Sequence, residues 1–331
     1  MSEHKGIAIF AEINNGRLSA TTRELLSCGR GLADDLQQEL SAIIAGKDIA
    51  GLAQEAITAG ADKVYLLDSP LLKDYCSDAY NKALAKALKE IMPRAFIVAQ
   101  TAIGREMAPA LAFRLGASAT TDCIELTIDP DSRQLLQTRP VYGGNALATF
   151  SSESYPQIAA VRPKVYSALE PDESRQGIII NIDPGLDESD IRTRIVDRVL
   201  QVKEGVRLED AIVVVAGGRG IGSAEDFKQL EELATLLKGA VGATRPPCDN
   251  GWVSDSAQIG LTGKIITPDV YLAVALSGSS QHISGCGGSK NIIAVNKDCE
   301  ANIFNFARFG IVGDWKKVIP AFTARIKELL A

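Results

Sequence analysis

The residues whose types and spacing could do chemistry fall in the last third of the chain. They sit in "GGRGIG" (217–222), "ATRPP" (243–247), "QIGLTGK" (258–264) and "SGSSQHISGCGG" (277–288), with Asn296 and Asp314 beyond. Glycine turns let backbone N–H groups approach an anion, and a following helix adds partial positive charge at its N-terminus. Arg219, inside the first of these turns, points to a negatively charged ligand. The spacing departs from the dinucleotide fingerprint G-x-G-x-x-G, because counting from Gly218 the sixth position is Ser223. The two histidines are His4 and His282, and no Asp or Glu lies within five residues of His282 to orient it. The six cysteines form no C-x-x-C pair, which removes the zinc and iron–sulfur signatures and leaves buried free thiols as the reading. Arg219, Arg245, Thr262, Ser277, Gln281, His282, Asn296 and Asp314 thus suit a surface that holds an extended cofactor. They do not make a nucleophile–base–orienter set.

Such a surface needs a scaffold. From Ala211 the chain reads as a buried strand "AIVVVAG", a glycine turn, and an amphipathic helix capped by Ser223 with Asp226 at a capping-box offset. The strands "VYLAVAL" and "NIIAVN" follow, then strand-like "FGIVG" and a helix over 314–330. In an open parallel sheet, ligands bind at the carboxyl ends of the strands, so these turns are expected to share one rim. Residues 242–264 read as a long functional loop, with Arg245 held extended by the prolines after it. Residues 277–282 read as a turn.

The first half repeats the alternation. "GIAIFAE" is a strand, a helix is expected from Ser19 to about Leu40, and another from Asp48 through Ala59. "DKVYLLD" is a strand, 76–91 a helix, "AFIVAQ" a strand, and a further helix ends at Gly116. Short apolar runs separated by amphipathic helices imply a parallel sheet covered on both faces. Residues 120–161 read as an antiparallel appendage to it. The strand "IIINID" and a charged helix "ESDIRTRIVDRVLQ" then precede the second half. The expected fold is α/β with two domains, 1–206 and 207–331, each a mostly parallel sheet with helices on both faces, the second Rossmann-like.

The totals narrow the function classes. The chain has 331 residues, 46% hydrophobic and 23% charged, with a net charge of −6, which disfavours binding to nucleic acid phosphates. No apolar run approaches the roughly 18 residues of a membrane span. "MSEHKGIAIFAE" has no signal-peptide core, so a cytoplasmic or organelle-matrix protein is expected.

The motifs taken together resemble the alpha subunit of electron-transfer flavoproteins. "VYLAVALSGSSQHISGCGGSKNIIAVN" is similar to that family's C-terminal signature, and "TRPP", "GW", "NKDCEANIF" and "FGIVGDW" fall in the family's order around it. "AEINNGRLS", "GADKVYLLD", "GREMAPALAFRLGA" and "YGGNALATF" extend the resemblance through the first half. It implies FAD bound to the second domain, with contacts from Arg219, Thr244, Arg245, Ile259, Gly260, Leu261, Thr262, Ser277, Gly278, Ser279, Ser280, Gln281, His282, Asn296, Asp314 and Trp315. Arg245 and His282 would lie by the isoalloxazine ring, Thr262 near its N5, and Asn296 and Asp314 by the adenosine. His282, with an ordinary pKa near 6.5, would make the flavin potential pH-dependent around neutrality.

The resemblance also implies a beta subunit carrying AMP or a second flavin. Electrons would pass from an acyl-CoA dehydrogenase-type flavoenzyme to a quinone reductase or other acceptor. The alternative is a flavin-based bifurcating complex reduced by NADH. A nicotinamide-dependent dehydrogenase and a redox-silent adenine-nucleotide sensor are the readings from other classes. The imperfect fingerprint and the missing acid–base set count against the dehydrogenase, and a colourless complex would mark the sensor.

Overall fold

The computed structural model describes residues 4–144, 146–193, 195–197 and 206–330. The chain divides into two compact units, Met1–Val141 with Leu147–Arg198, and Tyr142–Ala146 with Val199–Ala331.

The first unit begins with β1 (Ile7–Ala11), the small hairpin β2 (Ile13–Asn14) and β3 (Arg17–Leu18), and α1 (Ala20–Leu36). It continues through β4 (Leu40–Gly46), α2 (Ala53–Thr58), β5 (Lys63–Asp68), α3 (Ser77–Ile91), β6 (Ala95–Ala99) and α4 (Ala102–Leu115). Then come β7 (Ala119–Cys123), β8 (Glu125–Ile128), β9 (Leu135–Val141), β10 (Ala146–Phe150), β11 (Gln157–Val161) and β12 (Ile178–Asn181). Seven strands form one parallel sheet in the order β12-β5-β4-β1-β6-β11-β7. Strand alternation divides the apolar side chains. Ile7 and Ile9 join the layer under α1 and α2, while Ala8 and Phe10 join the layer under α3 and α4. Covered on both faces, β1, β4, β6 and β11 are buried at every residue.

Several sequence expectations are corrected here. α1 is capped by the Ser19 hydroxyl, which accepts from the Thr22 amide, and it ends at Gln37 in the left-handed conformation. Leu40, where the expected helix was to end, instead opens the strand β4, Leu40–Gly46. Asp48 opens no helix. It has φ +58°, and a short 3-10 turn at Ala50–Leu52 precedes α2. Of the supposed antiparallel appendage, β7 and β11 belong to the parallel sheet, and β8, β9 and β10 form a separate three-stranded sheet in which β8 and β9 pair antiparallel. The charged helix after β12 is a single 3-10 turn, Glu188–Asp190, closed by a capping box from Asp187, with Ile191 extended behind it. The rest of that stretch, at 194 and 198–201, lies outside the described residues.

The second unit contains β13 (Val213–Gly217), α5 (Ala224–Leu236), β14 (Ala240–Ala243), α6 (Arg245–Asp249), β15 (Val270–Val274), α7 (Ser280–Cys286), β16 (Asn291–Asn296), β17 (Phe309–Val312) and α8 (Trp315–Leu330). Its strands are all parallel, in the order β14-β13-β15-β16-β17. Val215, Leu272 and Val295 face the layer of α5 and α8. Val214, Tyr271 and Ala294 face the layer of α7 and the 259–266 segment. The Ser223 cap is present: its hydroxyl accepts from the Asp226 amide at 3.1 Å. Among the described residues, no helix is long and apolar enough to cross a membrane.

Candidate cofactor site at the sheet edge of the second unit

With five parallel strands, the segments leaving β13, β14, β15, β16 and β17 all emerge on one edge. The chain passes from β13 to one side, into β14, and then returns to the other side as β15. The loops after β13 and β15 therefore part at this point, which is where open α/β sheets form their crevice. Gly218 and Gly220 line it in close approach to β15's exit: the Gly218 amide donates to the Val274 carbonyl at 2.9 Å, and that of Gly220 to Ala275 at 3.2 Å. A Cβ on Gly218 would stand 2.3 Å from the Ala275 oxygen. On the other side, the buried Trp315 indole N–H donates to the Gly220 carbonyl at 3.1 Å. The turn is clamped from both sides while Arg219 at its tip is exposed.

The neighbouring segments are held as tightly. Asn296 Nδ2 donates to the Leu276 carbonyl at 2.8 Å, and its Oδ1 accepts from the Asp298 amide. Gly278 is buried at φ +75°, a conformation other residues adopt at a cost, and a Cβ there would lie 2.4 Å from the Ile303 nitrogen. Ser277, Ser279 and Gln281 are exposed and Ser280 is half-buried. Asp314, also exposed, accepts from the Lys316 amide at the start of α8.

Arg245 corrects the sequence expectation of an extended backbone. It is the first residue of α6, and Thr244 before it is the extended N-cap. Pro246 and Pro247 fit because the first turn of a helix has no intrahelical use for their missing N–H groups. The Arg245 side chain is 67% exposed, with Nε 3.2 Å from Asp249 Oδ2. Beyond α6, the Ile259 amide donates to Ala243 and the Leu261 amide to Gln281 at 2.7 Å. Gly260 is buried at φ +141°. Thr262 and Leu261 are exposed, and the Thr262 hydroxyl accepts from Gln258 Nε2 at 2.9 Å.

The segment read as a turn at 277–282 is partly helical, since α7 starts at Ser280. His282 lies inside that helix and is 4% exposed. Both ring nitrogens have protein partners: Nε2 is 2.7 Å from the Tyr271 hydroxyl, and Nδ1 is 3.0 Å from the Ile259 carbonyl. Burial of the imidazole, partly offset by the Ile259 carbonyl, pushes its pKa down to about 4. It is neutral at physiological pH, and the expected titration around neutrality is overturned.

The structure thus brings Arg219, Thr244, Arg245, Leu261, Thr262, Ser277, Ser279, Ser280, Gln281, Asn296 and Asp314 to one edge as accessible groups. Ile259, Gly260, Gly278, His282 and Trp315 are buried behind them. Tyr271, the partner of His282, was not legible in the sequence; within "VYLAVAL" it reads as one more core residue. The thiols are buried at Cys28, Cys123, Cys248 and Cys286, but Cys299 is exposed. A cavity of about 1060 Å³ lies in the first unit at the ends of β1 and β4. There the Asp48 and Ile49 amides already donate to the Asp68 carboxylate. The glycine turns with an open anion-facing rim belong to the second unit. Glycine turns packed too closely against neighbouring backbone to admit a side chain, beside the exposed Arg219 and Arg245, fit a large phosphate-bearing cofactor.

Fold and site together define a two-unit α/β protein whose second unit is a Rossmann-like cofactor-binding domain. The comparisons narrow this. Residues 7–186 match the model of the electron transfer flavoprotein domain, and residues 207–287 that of the electron transfer flavoprotein FAD-binding domain. The chain is 42% identical to the electron transfer flavoprotein subunit alpha of Thermoanaerobacterium thermosaccharolyticum, over 99% of this chain and 100% of that one. It is 43% identical to the subunit of the same name from Megasphaera elsdenii, over 99% and 98% of the two chains. It is also 37% identical to Protein FixB of Clostridium saccharobutylicum, over 100% and 99%. The chain belongs to the electron transfer flavoprotein alpha subunit family. Its second unit binds FAD, its role is that of an electron carrier, and its family implies a beta-subunit partner, as the resemblance implied.

Proposed function

We propose that the chain holds FAD along the carboxyl edge of β13–β17 and pairs with a beta subunit bearing AMP or a second flavin. In this reading it takes electrons from an acyl-CoA dehydrogenase-type flavoenzyme and delivers them to a quinone reductase or other acceptor. The observation that carries the reading is the Gly218–Gly222 turn, clamped between β15's exit and Trp315 with Arg219 exposed at its tip. FAD supplies the one- and two-electron chemistry when bound. Arg219 and the amides of the 277–281 segment bind its phosphates. Asn296 and Asp314 orient the adenosine end. Thr262 offers a hydroxyl to the ring, and Arg245 sets positive charge beside it. His282, with both nitrogens engaged, acts from behind the ring-side turn. No residue of this set abstracts a proton from a substrate carbon, consistent with a carrier that has no substrate chemistry of its own.

The second reading is a bifurcating complex in which NADH reduces a flavin of the beta subunit. Relatives named Protein FixB match over nearly the full chain at 37–40% identity, much like those named electron transfer flavoprotein, and are compatible with this reading. The test is a visible spectrum of the chain copurified with its partner, followed by titration with NADH and, separately, with a reduced acyl-CoA dehydrogenase. Bleaching by the dehydrogenase alone supports the shuttle. Bleaching by NADH, with two flavins per heterodimer, replaces it with the bifurcating complex.

A further inference from the structure

The first unit has a ligand-sized cavity of its own. It lies where the strand order of the seven-stranded sheet reverses: the chain runs from β1 outward to β4 and β5, then returns to β6 on the other side of β1. Loops part at such a point, and open parallel sheets take ligands at the carboxyl edge there. The volume, about 1060 Å³, is that of a small-molecule pocket, which runs from about 300 to 1,000 Å³. Glu12, the first residue after β1, lines the cavity, and its Oε1 accepts from the Thr101 hydroxyl at 2.6 Å. Thr101 is the N-cap of α4, just after β6, and its oxygen accepts from the Gly104 amide at 3.1 Å. The Thr101–Glu12 bond thus bridges the two strands whose loops part. We propose that this cavity binds a phosphate ester carrying a vicinal diol, the shared chemistry of ribonucleotides and sugar phosphates. The diol donates to the Glu12 carboxylate, and the phosphate lies toward the exposed Arg17, Lys47 and Lys73, which line the same cavity.

Glu12 is the reason for the diol. It is half-buried, burial raises its pKa, and among the described residues Thr101 is its one side-chain partner, with no cation to offset its charge. Neighbouring acids are already engaged. Glu55 pairs with Arg23 at 2.6 Å, Glu106 accepts from the Tyr75 hydroxyl at 3.0 Å, and Asp68 accepts from the Asp48 and Ile49 amides. A carboxylate has about four acceptor positions, so Glu12 keeps capacity that a pair of hydroxyls satisfies. The mouth of the cavity explains the phosphate. Arg17 and Lys73 make no ion pair among the described residues, and Lys47 has Asp48 at 3.7 Å. These three cations outnumber the exposed acids there, Asp48 and Glu173, which favours an anionic ligand over an ammonium. An apolar wall completes the site. Phe10 and Tyr80 meet edge to face with ring centroids 6.3 Å apart, and Tyr75 packs on Tyr80 at 5.0 Å. The Tyr80 hydroxyl donates to the Leu72 carbonyl at 2.9 Å, so it does not compete for Glu12.

The experiment titrates the flavin-loaded complex with the beta subunit, by calorimetry, with uridine 5′-monophosphate, its 2′,3′-dideoxy analogue, uridine and ribose 5-phosphate. A uracil nucleotide avoids competition with AMP on the beta subunit, and any binding there is common to wild type and variants. The variants are Glu12→Gln and the triple replacement Arg17→Ala, Lys47→Ala and Lys73→Ala. Wild type is expected to bind the nucleotide. Removing the diol, or Glu12→Gln, should weaken binding roughly tenfold, the worth of hydrogen bonds to a charged group. In Glu12→Gln the dideoxy analogue should lose less than about a further twofold, because the diol has no carboxylate left to meet. The triple variant should weaken the nucleotide and leave uridine unchanged. Ribose 5-phosphate binding as tightly as the nucleotide supports the proposal with a sugar phosphate as the ligand; tighter binding of the nucleotide supports it with a nucleotide. No binding of either ester at millimolar concentration would overturn it, as would the same diol effect in both backgrounds. Should Glu12→Gln fail to fold, wild type decides: full-strength binding of the dideoxy analogue overturns the proposal, and a roughly tenfold loss supports it. Flavin content should be the same in every variant, which keeps these outcomes separate from the assignment of FAD to the second unit.

Discussion

Lowering the pH should weaken the second unit through one residue. His282 has a folded-state pKa of about 4 because burial disfavours its charged form, against an unfolded value of 6.5. Between those values the unfolded chain holds a proton that the folded chain lacks. Stability is therefore fully present above pH 6.5 and falls as the pH drops through the window toward 4. The whole shift corresponds to about 3 kcal/mol, of which roughly 2 kcal/mol is gone by pH 5. Tyr271 and Cys286, which face the ring, have pKa values pushed up by burial and stay neutral throughout. The two tryptophans, Trp252 and Trp315, both lie in the second unit, so their fluorescence reports its unfolding. The assay is urea unfolding of the flavin-free chain at pH 7.5 and pH 5, for wild type and His282→Asn. Wild type should lose about 2 kcal/mol more than the variant over that interval. Equal losses would refute the reasoning, because carboxylates elsewhere are common to both proteins and cancel.

Other perturbations test other parts of the site. Arg245→Ala should lower the flavin potential by roughly 10–40 mV, a modest shift expected of a cation that is 67% exposed, and spectroelectrochemistry would show it. Gly218→Ala forces a Cβ to 2.3 Å from the Ala275 oxygen and should cost about 1–3 kcal/mol together with flavin retention, read by thermal unfolding and cofactor release. Glu12, whose pKa burial raises despite a hydrogen bond from Thr101, binds its proton more readily folded than unfolded. Wild type should therefore gain stability relative to Glu12→Gln as the pH falls from neutrality into the carboxyl range, which parallel urea titrations would detect.

The sequence by itself determined the fold class, the family and the order of the site segments. These depend on local signals: the short apolar runs of β1, β6, β13 and β15, the Ser223 cap, the left-handed Gly116 at the end of α4, and the glycine turns. What it left open needed partners distant along the chain. "LSAIIAG" is apolar throughout, so periodicity cannot separate a buried strand from the end of a helix; pairing with β1 on one side and β5 on the other makes it β4. The separation of β7 and β11 from the antiparallel strands is likewise a matter of which edge each one meets. At the site, residue types showed that Arg245 and His282 could serve a flavin, but not the environment of either. Arg245 turned out helical and solvated because α6 begins one residue before its prolines. His282 turned out neutral and engaged on both nitrogens because α7 packs over Tyr271 and Ile259. An ionisation state depends on what surrounds the group in space, and 11 and 23 residues of sequence separate His282 from those two partners.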